Sequence, residues 1–389
     1  MEEGYIIMNN QRWLAKNFFM FFITWGIFLP YWTGWLINDK GLTVSDASII
    51  MGFGLVARAI STILIFPYVS KIMSNKNVLV FFTVASLVTA ILYVPIDSFI
   101  GLFIMTMLFS ALYPALLPAV ESSAATLMQH GGIHYGKARS LGSFGYVVAV
   151  LIISMITGMY GEQMILWAMI FGLTALLAIQ LMPAPDVLSL APAKETGKSL
   201  SMKGLFDVKS FIVVLFVVIL LQGAHASYYN YGYIYLQELN VNPFYIGMIL
   251  NVAVLFEIIY FLKADTFLTK WKPSSLMLLA AIGSTVRWIL IYAFPNMPMF
   301  IVSQALHALS FAMAHYAFIR YISQALPKEQ IPNAQGIYSA LAMSLSAAIL
   351  TLLGGALYEI EPSLAFLGMV ICTGPAIVLI LLTKNRFNY

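Results

Sequence analysis

Charge is what this 389-residue chain has least of: Lys, Arg, Asp and Glu make up 9% of it, against about 25% in an ordinary soluble domain. With 61% apolar residues and a mean hydropathy of +0.88, too little polar surface remains to clothe a water-soluble fold, which excludes a soluble enzyme. Cysteine is nearly absent. Cys372 stands alone, so no intrachain disulfide can form and no cysteine ligand pair is present. There is no HExxH, no nucleophile elbow and no Walker loop, so the sequence gives no ground for an enzyme, a metal, a cofactor or an ATP-driven pump within this chain. No long polar tract suggests disorder. The formal net charge of +4 follows from membrane topology and does not call for nucleic acid.

What is present is a succession of apolar runs, each near the 20 or so residues that cross a bilayer. Punctuation by Gly, Pro and charge places twelve spans near 14–36, 45–70, 77–97, 98–128, 137–160, 162–182, 210–236, 243–266, 274–294, 297–322, 332–358 and 362–383. The first run is long, aromatic-rich and without a small-residue cleavage site, and reads as a retained span rather than a signal peptide. Fifteen Lys and Arg fall on one side of these spans and Lys40 alone on the other. Basic loops stay inside, so both termini are expected in the cytoplasm of a multi-pass protein in the cell inner membrane. The expected organisation is an all-α membrane protein with a six-helix bundle at 1–182, a cytoplasmic linker at 183–209 and a second bundle at 210–389. The linker carries Lys194, Lys198, Lys203 and Lys209 among its prolines and acids.

The two halves echo each other. An offset of 199 residues lays Thr43–Asp46 on Asn242–Tyr245, each a helix-start signal, and pairs Arg58 with Glu257 and Glu121 with Arg320. Parallel repeats of this kind imply a pseudo-twofold axis along the membrane normal with a site between the halves.

Intramembrane charge costs about 2.5–3.5 kcal/mol on insertion scales, so its survivors face partners or water. They are Arg58, Glu121, Arg139, Glu257, Arg287 and Arg320, joined by His225, His307 and His315. Glu121 and Arg139 are 18 residues apart across the Gly131-Gly132 turn. Either a helical hairpin closes them into a charged pair, or Arg139 snorkels to the interface. Tyr146 lies two turns beyond Arg139, to flank a substrate or simply to pack. Gly142, Ser143 and Gly145 let helices approach closely. In the second half Glu257, Arg287 and His307 share a depth on adjacent helices, the makings of a proton and ion-pair network or of a static buried pair. Arg320 is 13 residues from His307, about 220° around a regular helix. It and Arg58 are therefore expected in structural pairing or gating, while His225 and His315 stay open.

The chain resembles the major facilitator superfamily. Pro118-Ala119-Val120-Glu121 and Tyr135-Gly136-Lys137-Ala138-Arg139-Ser140-Leu141-Gly142-Ser143 are similar to the lactose permease type of proton symporter. That resemblance implies substrate binding by Glu121 and Arg139, stacking by Tyr146, and binding or proton coupling by Glu257, Arg287 and His307. Ser310 and Gln304 replace an acid and a lysine of that type near His307, and the superfamily's loop motif after span 2 is degenerate as Ser70-Lys71-Ile72-Met73-Ser74. A fuller likeness, through Trp25-Gly26-Ile27-Phe28-Leu29-Pro30, Gly54-Leu55-Val56-Ala57-Arg58, Leu221 to Tyr229 and Val286-Arg287-Trp288, is to the 3-phenylpropionate permease branch.

The expectation is a secondary active transporter, a monomer that takes up a small aromatic monocarboxylate with a proton by alternating access. An arginine, Arg139 or Arg287, would hold the carboxylate, and Trp25, Trp32, Tyr146 and Tyr228 would surround the ring. The alternatives are a proton symporter for a sugar or nucleoside, and a membrane sensor that binds without transporting.

Overall fold

The computed structural model describes residues 2–131, 133–190, 203–268, 270–327, 330–387 and 389. Residues 191–202 of the expected linker, with Lys194 and Lys198, and Gly132 of the expected turn lie outside the described residues. Among those described, nearly all are helical, and twelve helices are long and apolar enough to cross a membrane. In the first half they are α1 (Asn9–Asn38), α2 (Val44–Ile72), α3 (Asn75–Leu92), α4 (Phe99–Gln129), α5 (Tyr135–Tyr160) and α6 (Gln163–Leu181). In the second half they are α7 (Lys209–Glu238), α8 (Pro243–Ala264), α9 (Pro273–Ala293), α10 (Met297–Ala325), α11 (Ile331–Ile360) and α12 (Leu364–Phe387).

Local chemistry sets these ends. The side chains of Ser74, Ser98, Asn242 and Asn296 accept from backbone N–H groups of the first turns of α3, α4, α8 and α10, satisfying donors that a new helix leaves orphaned. Pro243 and Pro273 begin their helices where a missing N–H costs nothing. The C-cap of α5 is Gly161 at φ +86°, a conformation that only glycine takes without penalty. The third span stops at Leu92, short of the expected 97, because Pro95 cannot donate and the Tyr93 carbonyl turns to accept from the Ile96 N–H at 3.0 Å.

Contacts divide the chain into two compact units, 1–42 with 57–195 and 43–56 with 196–389. The first half of α2 thus groups with the second unit. There Ser48 Oγ meets Tyr231 Oη at 2.8 Å, the Ser45 N–H donates to Glu359 at 2.8 Å, and Gly52 lies against Leu352 and the Ala348 carbonyl.

In the first unit, α1 and α5 pack almost backbone to backbone. A Cβ on Gly26 would come within 2.9 Å of the Tyr146 carbonyl oxygen, and one on Gly145 within 2.6 Å of that of Phe19, so small residues at these positions permit the approach. In the second unit a core of Phe211, Leu221, Met277, Phe318 and Tyr338 joins α7, α9, α10 and α11. A Thr285–Thr373 hydrogen bond of 2.8 Å ties α9 to α12.

Candidate functional site

Among the described residues two constellations of charge lie within the spans, one in each unit, the first partly buried and the second built around a fully buried arginine. In the first, the hairpin between α4 and α5 brings Glu121 and Arg139 together: Arg139 Nε donates to Glu121 Oε1 at 3.3 Å. Tyr135, one turn before Arg139 on the same face, donates from its hydroxyl to Glu121 Oε2 at 2.8 Å. The guanidinium carbon of Arg139 sits 4.2 Å from the Phe22 ring centroid and 5.7 Å from that of Phe18, a cation held against aromatic faces. Both charged side chains keep about a third of their surface accessible, 32% and 34%. The pair is therefore only partly buried.

Trp25 stacks on Phe21 and Tyr113, and Arg58 lies 5.3 Å over its ring. Tyr113 and Phe109 extend this aromatic column to Phe28 and Trp32. Trp32 is fully buried within it, whereas Trp25 and Tyr146 are partly exposed.

The second constellation is a continuous chain of polar contacts across α7, α8, α9 and α10. Arg287 is completely buried, its guanidinium 4.5 Å from each of the Tyr228 and Trp288 rings. Its Nη1 reaches His307 Nδ1 at 2.9 Å and donates to Ser310 Oγ at 3.3 Å. An arginine can only donate, so Nδ1 of His307 accepts and the ring hydrogen belongs on Nε2. That atom faces Glu257 Oε2 at 3.6 Å. At the other end, His225 Nδ1 bonds the Leu221 carbonyl at 3.0 Å, which fixes the hydrogen there, and Nε2 takes the Ser310 hydroxyl at 3.0 Å. Ser310 thereby links His225 to Arg287. The other two guanidinium nitrogens, Nε and Nη2, find no acceptor among the described residues. They form the side-on edge of the fork, the geometry that takes both oxygens of a carboxylate.

Irregular backbone builds this second cluster. α7 is interrupted between Gly223 and Ala226. The His225 N–H turns back to Gln222, and the His225 ring takes the Leu221 carbonyl. In α10 a π-helical turn at Ala308–Ala312 follows His307, an insertion that re-aims side chains and recurs at functional sites. The π turn also breaks the regular 100° step used to separate His307 from Arg320.

All three residues expected in a second-half network, Glu257, Arg287 and His307, come together, and so do Glu121 and Arg139. Arg320 lies apart. It donates to the Leu268 carbonyl at 2.6 Å and covers Tyr316. His315 pairs with the Tyr338 hydroxyl at 3.0 Å. Sequence reasoning missed Tyr135, Phe22 and Trp288 as partners of the two arginines, and left His225 unassigned. Spacing could have given the first, four residues before Arg139, and Trp288 follows Arg287 directly. Nothing local marks His225, which reaches the cluster only through folding.

Twelve apolar helices with buried charges collected inside them describe a multi-pass membrane transporter, not an enzyme, and the comparisons with known proteins agree. The chain belongs to the MFS_1 like family, which it matches over residues 11–367, and so is a transporter of the major facilitator type. It is 30% identical over 377 residues to the "Probable 3-phenylpropionic acid transporter" of Escherichia coli (strain K12), covering 96% of this chain and 98% of that one. It is 27% identical over 298 residues to the "Maltose permease" of Geobacillus stearothermophilus, covering 76% and 75%. Among solved structures, the nucleoside transporter NupG matches with a TM-score of 0.81 at 17% identity, over 98% of this chain and 100% of that one, a likeness of fold.

Proposed function

We propose that this protein is a proton-coupled importer of 3-phenylpropionate or a similar small aromatic carboxylate, set in the cell inner membrane with both termini cytoplasmic. Residues 1–182 and 210–389 act as the two bundles of an alternating-access cycle, joined by 183–209. The observation that carries this reading is the side-on edge of Arg287, wholly buried, whose Nε and Nη2 meet no acceptor within hydrogen-bond geometry among the described residues. Burying a guanidinium is costly unless its donors are met, and a carboxylate meets both at once. The flanking Tyr228 and Trp288 rings supply surfaces for an aryl group. The E. coli relative's name points the same way.

On this reading Glu121, Arg139, Tyr146, Trp25 and Tyr228 bind the substrate, and Arg287 joins substrate binding to proton coupling. Glu257 and His307 carry the proton. His307 Nε2–H is aimed at the carboxylate, so protonating Glu257 removes the charge that His307 faces and leaves Arg287 as the site's positive anchor. The coupling has an energetic purpose. An anion entering against an inside-negative potential is opposed by about 2.3 kcal/mol per 100 mV, and one accompanying proton cancels that charge.

The test is uptake of labelled 3-phenylpropionate by cells carrying the protein. Uptake is expected to be saturable, competed by aromatic monocarboxylates and not by maltose or nucleosides, and abolished by a protonophore. Competition by a sugar or nucleoside instead, with no effect of aromatic acids, overturns the substrate assignment.

A further inference from the structure

Away from the buried charges, the second unit holds a cavity of about 510 Å³ at one end of its helices, within the roughly 300–1,000 Å³ of small-ligand pockets. Lys270, Lys272 and Arg320 line it, together with Ser210, Trp271 and Tyr389. None of the described lining residues is acidic. Arg320 is held in place by the Leu268 carbonyl, and the Ser274 N–H donates to the Tyr389 carbonyl at 3.3 Å. The wall of the cavity is thus a fixed part of the fold. Among the described contacts none of these groups meets Arg287.

The level of the cavity bears on its ligand. Lys272 and Pro273 open α9, Arg320 lies in the last turns of α10, and Ser210 opens α7. All are at span ends, on the side that carries the basic loops. Beside it Trp271 and Phe267 are exposed, at 47% and 69%, as aromatic residues are at the headgroup level of a bilayer. A basic pocket between helix ends at this level suits a phosphoryl group. We infer that this cavity binds the phosphodiester headgroup of an anionic phospholipid. The same oxygens could come from free phosphate, but the bilayer presents the lipid at this level continuously and at high local concentration.

The full-length protein, purified in a neutral detergent, would be given equal amounts of phosphatidylglycerol and phosphatidylcholine with identical acyl chains. Retained lipid would be read by native mass spectrometry. A cation near the surface strengthens anionic-lipid binding by about 1 kcal/mol, or roughly fivefold. Wild type should therefore retain phosphatidylglycerol preferentially, and Lys270→Gln with Lys272→Gln should lower that preference by roughly 25-fold. Because Lys272 precedes the first turn of α9, Lys270→Gln alone is the second variant, with a loss of about fivefold, and Lys270→Arg should restore the preference. Equal retention of the two lipids, or a preference unchanged in both variants, overturns the proposal. In a separate arm, millimolar inorganic phosphate should leave the phosphatidylglycerol bound. If phosphate displaces it and raises the melting temperature of the lipid-free protein as much as the lipid does, the lipid assignment is wrong.

Discussion

Arg287→Lys separates charge from geometry at the proposed carboxylate anchor. The substitution keeps a cation between Tyr228 and Trp288 but replaces a planar fork with a single ammonium. In the wild type Nη1 is committed to His307 and Ser310, while Nε and Nη2 form the side-on edge. A lysine ammonium has three donors, so with His307 and Ser310 kept it has a single one left for the substrate. Bidentate recognition is then lost. A hydrogen bond to a charged group contributes about 1.5–3 kcal/mol, so the KM for 3-phenylpropionate should rise by roughly 10- to 150-fold, with the protein still present in the membrane. Arg287→Gln, which also removes the charge, should lose more. The assay is initial-rate uptake of labelled substrate over a concentration series, normalised to membrane-inserted protein. As an internal control, 3-phenylpropionamide lacks the carboxylate, and its inhibition of uptake should weaken far less in the lysine variant. A KM within about twofold of wild type in Arg287→Lys, below even one such hydrogen bond, would refute the bidentate anchor.

Other consequences follow from the same geometry. Glu121→Gln and Arg139→Gln should each reduce uptake to near background in inserted protein, because each leaves its half-buried partner unpaired; normal transport in both would remove this pair from the site. Glu257→Gln should still exchange internal for external substrate yet fail to concentrate it, measured as counterflow against net accumulation; full concentrating ability would eliminate Glu257 as a proton carrier. Gly145→Ala should destabilise the first unit by about 1–3 kcal/mol through overpacking, since its Cβ would come within 2.6 Å of the Phe19 carbonyl oxygen. Gly136→Ala, which meets nothing within 4 Å, should leave the melting temperature in detergent unchanged.

Much of this architecture is legible in the sequence because lipid imposes strict rules. A span must be apolar and about 20 residues long, so the twelve runs declare themselves, and errors arise only at loops such as Tyr93–Ser98, where apolar residues continue past the end of a helix. The buried charges are equally visible, since each is an exception in an apolar run. How they pair is less visible. Spacing brought Glu121 near Arg139 because a short hairpin joins their helices. The 199-residue offset marks Arg58 with Glu257 and Glu121 with Arg320 as matching places in the two halves, not as contacts, and in the fold each of the four meets groups of its own unit: Trp25, His307, Arg139 and the Leu268 carbonyl.

The long-range link through His225 was not legible at all. His225 meets Ser310 across 85 residues, through an interrupted α7 and a π turn in α10, and neither irregularity has a Pro at its centre to announce it. Ser310 itself stood out only as a departure from the lactose permease pattern. In the structure it is the hydroxyl through which His225 reaches Arg287.

In the proposed mechanism an aromatic carboxylate and a proton cross the membrane together. Purified protein in liposomes, with 3-phenylpropionate supplied outside and no imposed potential, permits both fluxes to be followed at once by a labelled substrate and an internal pH indicator. Coupled import predicts that adding substrate acidifies the lumen and that an inward proton gradient drives accumulation, both lost when a protonophore is added. Substrate entry that leaves internal pH unchanged and equilibrates without accumulating, whatever the gradient, would contradict it.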